Sequence, residues 1–467
     1  MPTVVAMLIT LVVVVALLAG DTRLRESSPA LWIPVLWLLV VGSRFVSQWL
    51  GLGGGGDAAG SDGSPVDAAC FGLLIVLGIV VLVRRRPDWA ALWRANRWLA
   101  VFALYGLASV LWSEYPFTSF KRWIKALGHP VMALVVLTDP RPVEAVRIVL
   151  KRCAYVLLPA SVLLIKYLPE YGRGYNAWTG EPTNHGVGLT KNDLGYLCMV
   201  SGLFFVWNAL AAGAAARQER RREIALSLLF LALAGWLLYS ARSATSLATL
   251  AIGAGTLLAL RFGLVDKAKL GTWVVAAVVL AGIAELLFDP YARVIAALGR
   301  DPTLTDRTAL WADVIALQPN LLFGAGFEGF WLGDRLKTLW DHWWWHPNQA
   351  HNGYLETWLN LGFVGIALLA VVIADTFRRI RAQLTPEFGL ADFRIACLFA
   401  ILAFNYTEAA FKGTHLVWTL FFLVAVERAG RHAAATQRGS VHAGPYERPP
   451  VYPQRRPVAA PRARGGR

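Results

Sequence analysis

The stretch "HPNQAHNGYLETWLNLGFVGIALLAVVIADTFRRIR", His346 to Arg381, decides the fold. From Tyr354 onward it is an apolar run of about the 20 residues that a helix needs to cross a hydrocarbon core, and Arg378, Arg379 and Arg381 close it. A polar, aromatic loop precedes the run. His351, Asn352 and Gly353 stand at the join, so the reading places a histidine at the edge of a membrane.

Similar runs recur near 3–19, 31–50, 68–83, 98–112, 120–138, 153–168, 193–213, 224–240, 244–261, 270–288, 394–411 and 415–427. Of the 467 residues, 56% are apolar and 16% charged, and the apolar ones come in blocks. A soluble multidomain protein is therefore excluded. The pattern predicts an all-α polytopic membrane protein with about 12–13 transmembrane helices. The first run lacks the basic flank and cleavage site of a secretory signal and reads as a span or anchor. Cys70, Cys153, Cys198 and Cys397 all fall in apolar runs without paired spacing, which predicts neither a disulfide nor a metal site.

Lysine and arginine fix the orientation, because basic residues in short loops are retained on the cytoplasmic side. Arg84, Arg85, Arg86, Arg94 and Arg97 fall on one side with Arg141, Arg147, Lys151 and Arg152. The cluster Arg217, Arg220, Arg221 and Arg222 joins them, as do Arg378, Arg379 and Arg381. The opposite loops include 51–67, without any lysine or arginine, and a 64-residue connection, 289–352, with five basic and seven acidic residues. That long connection faces outward. Residues 1–428 then form the membrane domain. Residues 429–467, with eight arginines, six prolines and one acid, form a disordered basic cytoplasmic tail. A tether near anionic headgroups explains this tail, and the net charge of +15, better than nucleic-acid binding does.

A 64-residue connection is too long to be a simple linker, so function is sought there. The segment "TLTDRTALWADVIALQP" starts with the cap candidates Thr305 and Asp306, runs with helical spacing through Leu310, Trp311, Val314 and Ile315, and stops at Pro319. Arg307 falls in the first turn, where the helix dipole disfavours a cation. Either Asp306 neutralises it, or the arginine and the free N–H groups together hold an anion such as phosphate. Arg242, in "LLYSARSATSLATL", is a lone arginine in a tight outer hairpin, against the charge bias. It either snorkels or binds something negative. Trp331, Trp340 and Trp343 to Trp345 offer an interfacial belt or flat faces for sugar rings. His342 and His346 are an i, i+4 pair beside Asp341 and His351, but a Trp- and Pro-rich loop gives no reason to expect the helical register that a zinc site needs. Lys166, Glu285, Glu356 and Glu408, charges in apolar surroundings, form no evident relay.

The run His351-Asn352-Gly353-Tyr354-Leu355-Glu356, followed by Leu361-Gly362-Phe363-Val364-Gly365, lies just after an Asp-Arg-x-x-x-Trp helix start and a Gly-x-Gly-Phe turn. With "SARSATSL", "GLTKNDLG" and "WIPVLWLLVVGSRFVSQWL", it resembles the O-antigen ligase and O-antigen polymerase (Wzy-type) superfamily, nearest its exopolysaccharide-polymerase branch. The resemblance covers most of the chain outside the tail. It implies a GT-C-like fold with a large helical periplasmic loop, in a multi-pass protein of the bacterial inner membrane.

The activity implied is metal-independent and needs no cofactor. A glycan on undecaprenyl diphosphate would pass to a hydroxyl of another lipid-linked glycan, or of lipid A core in lipopolysaccharide, on the periplasmic face. The family's roles fall on Arg242 and Arg307 as diphosphate-binding groups and on His351 as the residue that activates the acceptor hydroxyl. A diphosphate leaving group is already activated, so such a site needs cations and one base, and histidine suits the latter. His185, Lys191 and Asn192, in the outer loop Glu170 to Asp193, are expected to border the acceptor path, with Trp331 and Trp344 as glycan-stacking candidates. Polysaccharide export and chain-length proteins are the expected partners. The competing readings are a transporter of lipid-linked sugars and a structural component of an export complex. The halves of the chain show none of the similarity common in transporters.

Overall fold

The computed structural model describes residues 3–20, 27–52, 64–176, 180–214, 217–274, 280 and 307–428. Thr305, Asp306, Glu285, most of the expected span 270–288 and the tail lie outside these residues. In chain order the helices of ten residues or more are α1 (Thr3–Gly20), α2 (Trp32–Val41), α3 (Pro65–Arg85), α4 (Arg97–Ala108), α5 (Pro116–Ala126), α6 (Gly128–Leu137) and α7 (Pro142–Tyr167). A small antiparallel hairpin, β1 (Arg173–Tyr175) with β2 (Pro182–Asn184), leads to α8 (Lys191–Ala211), α9 (Arg217–Ala241) and α10 (Ala244–Arg261). Then come α11 (Arg307–Ala316), α12 (Gly333–His342), α13 (Gly353–Ala382), α14 (Leu390–Thr407) and α15 (Leu416–Ala425). Among the described residues eight helices, α1, α3, α7, α8, α9, α10, α13 and α14, are long and apolar enough to cross a membrane. This is an all-α polytopic membrane protein.

Lipid tails are as apolar as leucine, so helices in a bilayer associate through close packing and satisfied polar groups rather than through escape from water. Both devices are present. A Cβ at Gly128 would come within 1.9 Å of the Trp37 ring, so only glycine lets α6 approach α2 this closely. At one end of the bundle Arg85 pairs with Asp139 at 2.9 Å, Lys151 with Glu223 at 2.9 Å and Arg394 with Glu427 at 3.2 Å. Arg85 and Lys151 belong to the two basic groups that the charge pattern assigned to one side.

Several expected spans are cut shorter or broken, each for a local reason. The run 31–50 stops as a helix at Val41, because Arg44 turns out of it and donates to the carbonyls of Gly188 and Tyr171. The run 120–138 divides at Leu127 into α6 and the amphipathic α5, which carries Lys121, Arg122 and Lys125. The run 394–411 ends at Thr407, and residues 408–415 form a connection outside the helix. Helix α13 is broken at Gly362, whose φ of 63° and ψ of −166° are open to glycine. The break frees the N–H groups of Phe363 and Val364, which donate to the carbonyls of Leu321 and Leu322 at 2.9 and 3.1 Å. Irregular backbone in a span is tolerated only where protein or water satisfies it, and here the long connection folds back to do so.

Residues 307–352 have a small core of their own. Leu310, Val314, Phe330, Leu339 and Ala350 are buried together with Leu359 of α13. Of the four apolar positions, α11 turns Leu310 and Val314 inward, while Ile315 is exposed, and the helix ends at Ala316, before Pro319.

Candidate active site

The site is built at the end of the bundle that carries residues 307–352. Helix α13 starts where the Asn352 side chain accepts from the N–H groups of Tyr354 and Leu355, both at 3.0 Å, a regular N-cap. His351, immediately before the cap, holds φ at +50°, a left-handed conformation that costs a non-glycine residue energy and concentrates at functional positions. Its Nδ1 lies 3.2 Å from Oε2 of Glu408. Glu408 follows the last residue of α14, and its backbone carbonyl accepts from the Gly353 N–H at 3.1 Å.

Glu408 gathers the site. Its Oε1 accepts from the Arg307 guanidinium at 3.1 Å and from Asn192 Nδ2 at 2.9 Å, and Arg307 also donates to the Thr407 carbonyl. Burial alone would raise the pKa of this carboxyl, but the His351 contact and the Arg307 charge outweigh it and hold the group below its ordinary value. Glu408 is therefore an anion, and an anion beside Nδ1 makes that nitrogen the N–H donor. Nε2 is left as the acceptor.

The Arg242 hairpin reaches the same end of the bundle. Thr407 Oγ1 donates to Oγ1 of Thr245, three residues beyond Arg242, at 3.0 Å. Asn184, closing β2, donates to the Ser240 carbonyl at 3.3 Å. Arg242 is itself left-handed, with φ of +50°, and its largely exposed guanidinium lies 3.1 Å from the equally exposed Glu181.

Lys191 and Asn192 sit in the first turn of α8 rather than in a loop, behind a capping box in which Thr190 and Asp193 bond each other's backbone N–H. His185 is half-buried and bonds Thr183 Oγ1 at 2.8 Å; burial first, then the charges of Arg44 and Lys191, keep its ring below the ordinary histidine value. Trp344 is 61% exposed. Trp331 is 7% exposed and spends its indole N–H on Glu356 at 2.7 Å, so it belongs to the loop's core rather than to an open stacking face. His342 ends α12 and pairs with Asp313 at 2.9 Å, whereas His346 lies beyond the helix and stacks on Trp340. The helical register that zinc would need is absent from that pair.

The charge-in-apolar-sequence signal did mark Glu408 and Glu356, but nothing in the sequence pairs them with His351. Glu408 lies 57 positions from the histidine and 101 from Arg307.

Residues 228–370 match the family model described as O-Antigen ligase, a range that contains Arg242, Arg307 and His351. A relative, the exopolysaccharide production protein ExoQ of Rhizobium meliloti (strain 1021), is 25% identical over 381 residues, covering 75% of this chain and 82% of its own length. The chain is thus a multi-pass membrane protein that is similar, over residues 228–370, to the O-antigen ligase family. The likeness to ExoQ points to polysaccharide biosynthesis.

Carboxylate ionisation at Glu408 has a consequence for pH. A carboxyl whose folded value is depressed contributes stability fully above its unfolded value, and that contribution is lost as pH falls through the folded value. Acidifying the purified protein below the ordinary carboxylate range is expected to loosen the site, and Glu408→Gln should flatten that acid dependence. The same variant should lower the transfer rate by less than loss of His351 does. Thermal melts across pH read the first effect, and a wild-type-like acid profile in Glu408→Gln would remove Glu408 from this role.

Proposed function

We propose that the protein transfers, and by repetition polymerises, glycan carried on undecaprenyl diphosphate, at the periplasmic face of the bacterial inner membrane. The observation that carries the reading is the convergence of His351, Arg307 and Asn192 on the single buried carboxylate of Glu408, next to the Arg242 hairpin.

The acceptor hydroxyl gives its proton to Nε2 of His351 as its oxygen bonds the anomeric carbon. The carbon–oxygen bond to the diphosphate breaks, and its electron pair leaves on the diphosphate. Glu408 keeps Nδ1 protonated and stabilises the imidazolium that forms. Arg307 spends two guanidinium nitrogens on Thr407 and Glu408, and a guanidinium has further N–H donors for phosphate oxygens. Arg242 meets the same diphosphate once Glu181 yields, which is easy for a pair exposed to water. The fixed cations take the growing charge of the leaving group, so no metal is required.

His185, Lys191 and Asn192 border the acceptor's approach, and Trp344 offers a sugar-stacking face. The acceptor is another lipid-linked glycan, or lipid A core if the protein is a ligase. Polysaccharide export and chain-length proteins act beside it.

The deciding test incubates the purified protein, in buffer containing a chelator, with a lipid-diphosphate-linked repeat unit. Lengthened, lipid-linked glycan is expected, and absence of any product with authentic donor would sink the reading. In the cell, single repeat units in a deletion strain mark a polymerase, and free polymer without lipid A core marks a ligase.

A further inference from the structure

Glu356 is 2% exposed, yet among the described residues its carboxylate has only neutral N–H partners. Oε1 accepts from the Trp331 indole at 2.7 Å and, more distantly, from Asn360 Nδ2 at 3.4 Å. Oε2 accepts from the backbone N–H of Ala350 at 2.9 Å. A buried charge without a cation costs free energy, offset here by charge-assisted hydrogen bonds and by the position of Glu356 in the first turn of α13, where the helix dipole favours an anion.

A neutral glutamine is the cheaper residue to bury, so the charge calls for a reason. Two N–H donors, from Trp331 and Ala350, approach opposite oxygens of one planar group. A carboxylate accepts at both oxygens. An amide accepts at one and turns an NH2 against the other donor.

The second donor is the informative one. Ala350 is fully buried and immediately precedes His351. Its N–H is held by Glu356, and its carbonyl accepts from the Trp311 indole at 2.7 Å. Both peptide groups flanking Ala350 are pinned, and the next residue, His351, holds its strained φ of +50°. On the far side, the Gly353 N–H is held by the Glu408 carbonyl. The histidine is therefore suspended between two fixed backbone anchors. One is supplied by Glu356, the other by the stretch that also supplies its carboxylate partner.

We infer that Glu356 is a positioning residue for transfer: from within α13 it locks the backbone entering His351, and so sets the imidazole against Glu408 and the acceptor hydroxyl. The inference rests on the role proposed for His351. Misplacing a reacting group by about 1 Å costs on the order of 10²-fold in rate, so a positioning role predicts a loss in kcat with binding preserved.

The test is Glu356→Gln in the full-length protein, nearly isosteric and without the charge. It is compared with Trp331→Phe and with the double variant, each measured for kcat, donor KM and thermal stability. Glu356→Gln is expected to lower kcat by roughly 10²-fold with little change in donor KM. Trp331→Phe removes the indole donor, so in the double variant the amide oxygen is free to turn to Ala350, and much of the lost kcat should return. Trp331→Phe alone should leave kcat close to wild type. A wild-type kcat in Glu356→Gln, a loss that follows only the folded fraction, or a loss that Trp331→Phe does not relieve would each overturn the inference. His351→Ala, run in parallel, separates the two levels: if it retains full activity, the role of His351 falls whatever Glu356 does.

Discussion

His351→Ala is expected to slow glycan transfer by roughly 10²–10⁴-fold, the usual contribution of a positioned general base. The loss should appear in kcat, with donor KM little altered, because the proposed grip on the diphosphate falls to Arg242 and Arg307 rather than to the histidine. The expectation follows from geometry as much as from residue type. With an anionic Glu408 at Nδ1, the ring has one acceptor nitrogen left, and a base needs that nitrogen free. Alanine should be tolerated by the fold, since Asn352 caps α13 and Glu356 and Trp311 hold the residue before it. Initial rates with purified, monodisperse protein decide the matter. Transfer unaltered in a folded His351→Ala protein would remove the histidine from the reaction and leave it as an interfacial ring.

Much of the architecture is legible in the sequence because a bilayer imposes simple demands. Each crossing needs a long apolar run, and each arginine-rich loop stays on one side. Those demands say nothing about what happens inside a run. The break of α13 at Gly362 depends on carbonyls supplied by Leu321 and Leu322, some forty positions earlier, and Phe363 and Val364 look like any other lipid-facing residues in the sequence. The two tryptophans show the same limit. Trp331 and Trp344 are equivalent as residues in an aromatic loop, and only the fold decides that one is sealed against Glu356 while the other stays exposed.

The candidate site is legible in the sequence as residue types and illegible as partnerships. His351 is marked by its place at the head of a span, and Arg242 by its defiance of the charge bias. Arg307 is marked by its unfavourable end of a helix. A carboxylate in the apolar stretch Ala403 to Phe411 is costly enough to signal a role. Which cation and which imidazole Glu408 serves depends on how α8, α11, α13 and α14 meet, and no spacing along the chain encodes that.

Arg307→Ala is expected to cost about 10²–10³-fold in kcat, the range for removing one preorganised donor from developing negative charge. Arg307→Lys should remain well below wild type. Lysine keeps the charge but loses the planar fork that bonds Thr407 and Glu408 together and, in the proposed role, leaves N–H donors for a phosphate oxygen. Arg242 differs in one respect. Its partner Glu181 is exposed, and such pairs are worth about 0–1 kcal/mol, so Arg242 is released at little cost while Arg307 stays anchored to Glu408. Arg242 substitutions should therefore leave the resting fold intact, with their effect falling on transfer.

If both arginines act on one diphosphate, losing the first already spoils its stabilisation, and losing the second removes less. The double variant should then be less impaired than the product of the single losses. Donor titrations and single-turnover rates on the four proteins measure this coupling. Losses that multiply would mean that the two guanidinium groups serve different ligands. Arg242 would then revert to a snorkelling residue held by Glu181, and Arg307 to the neutralising partner of Glu408.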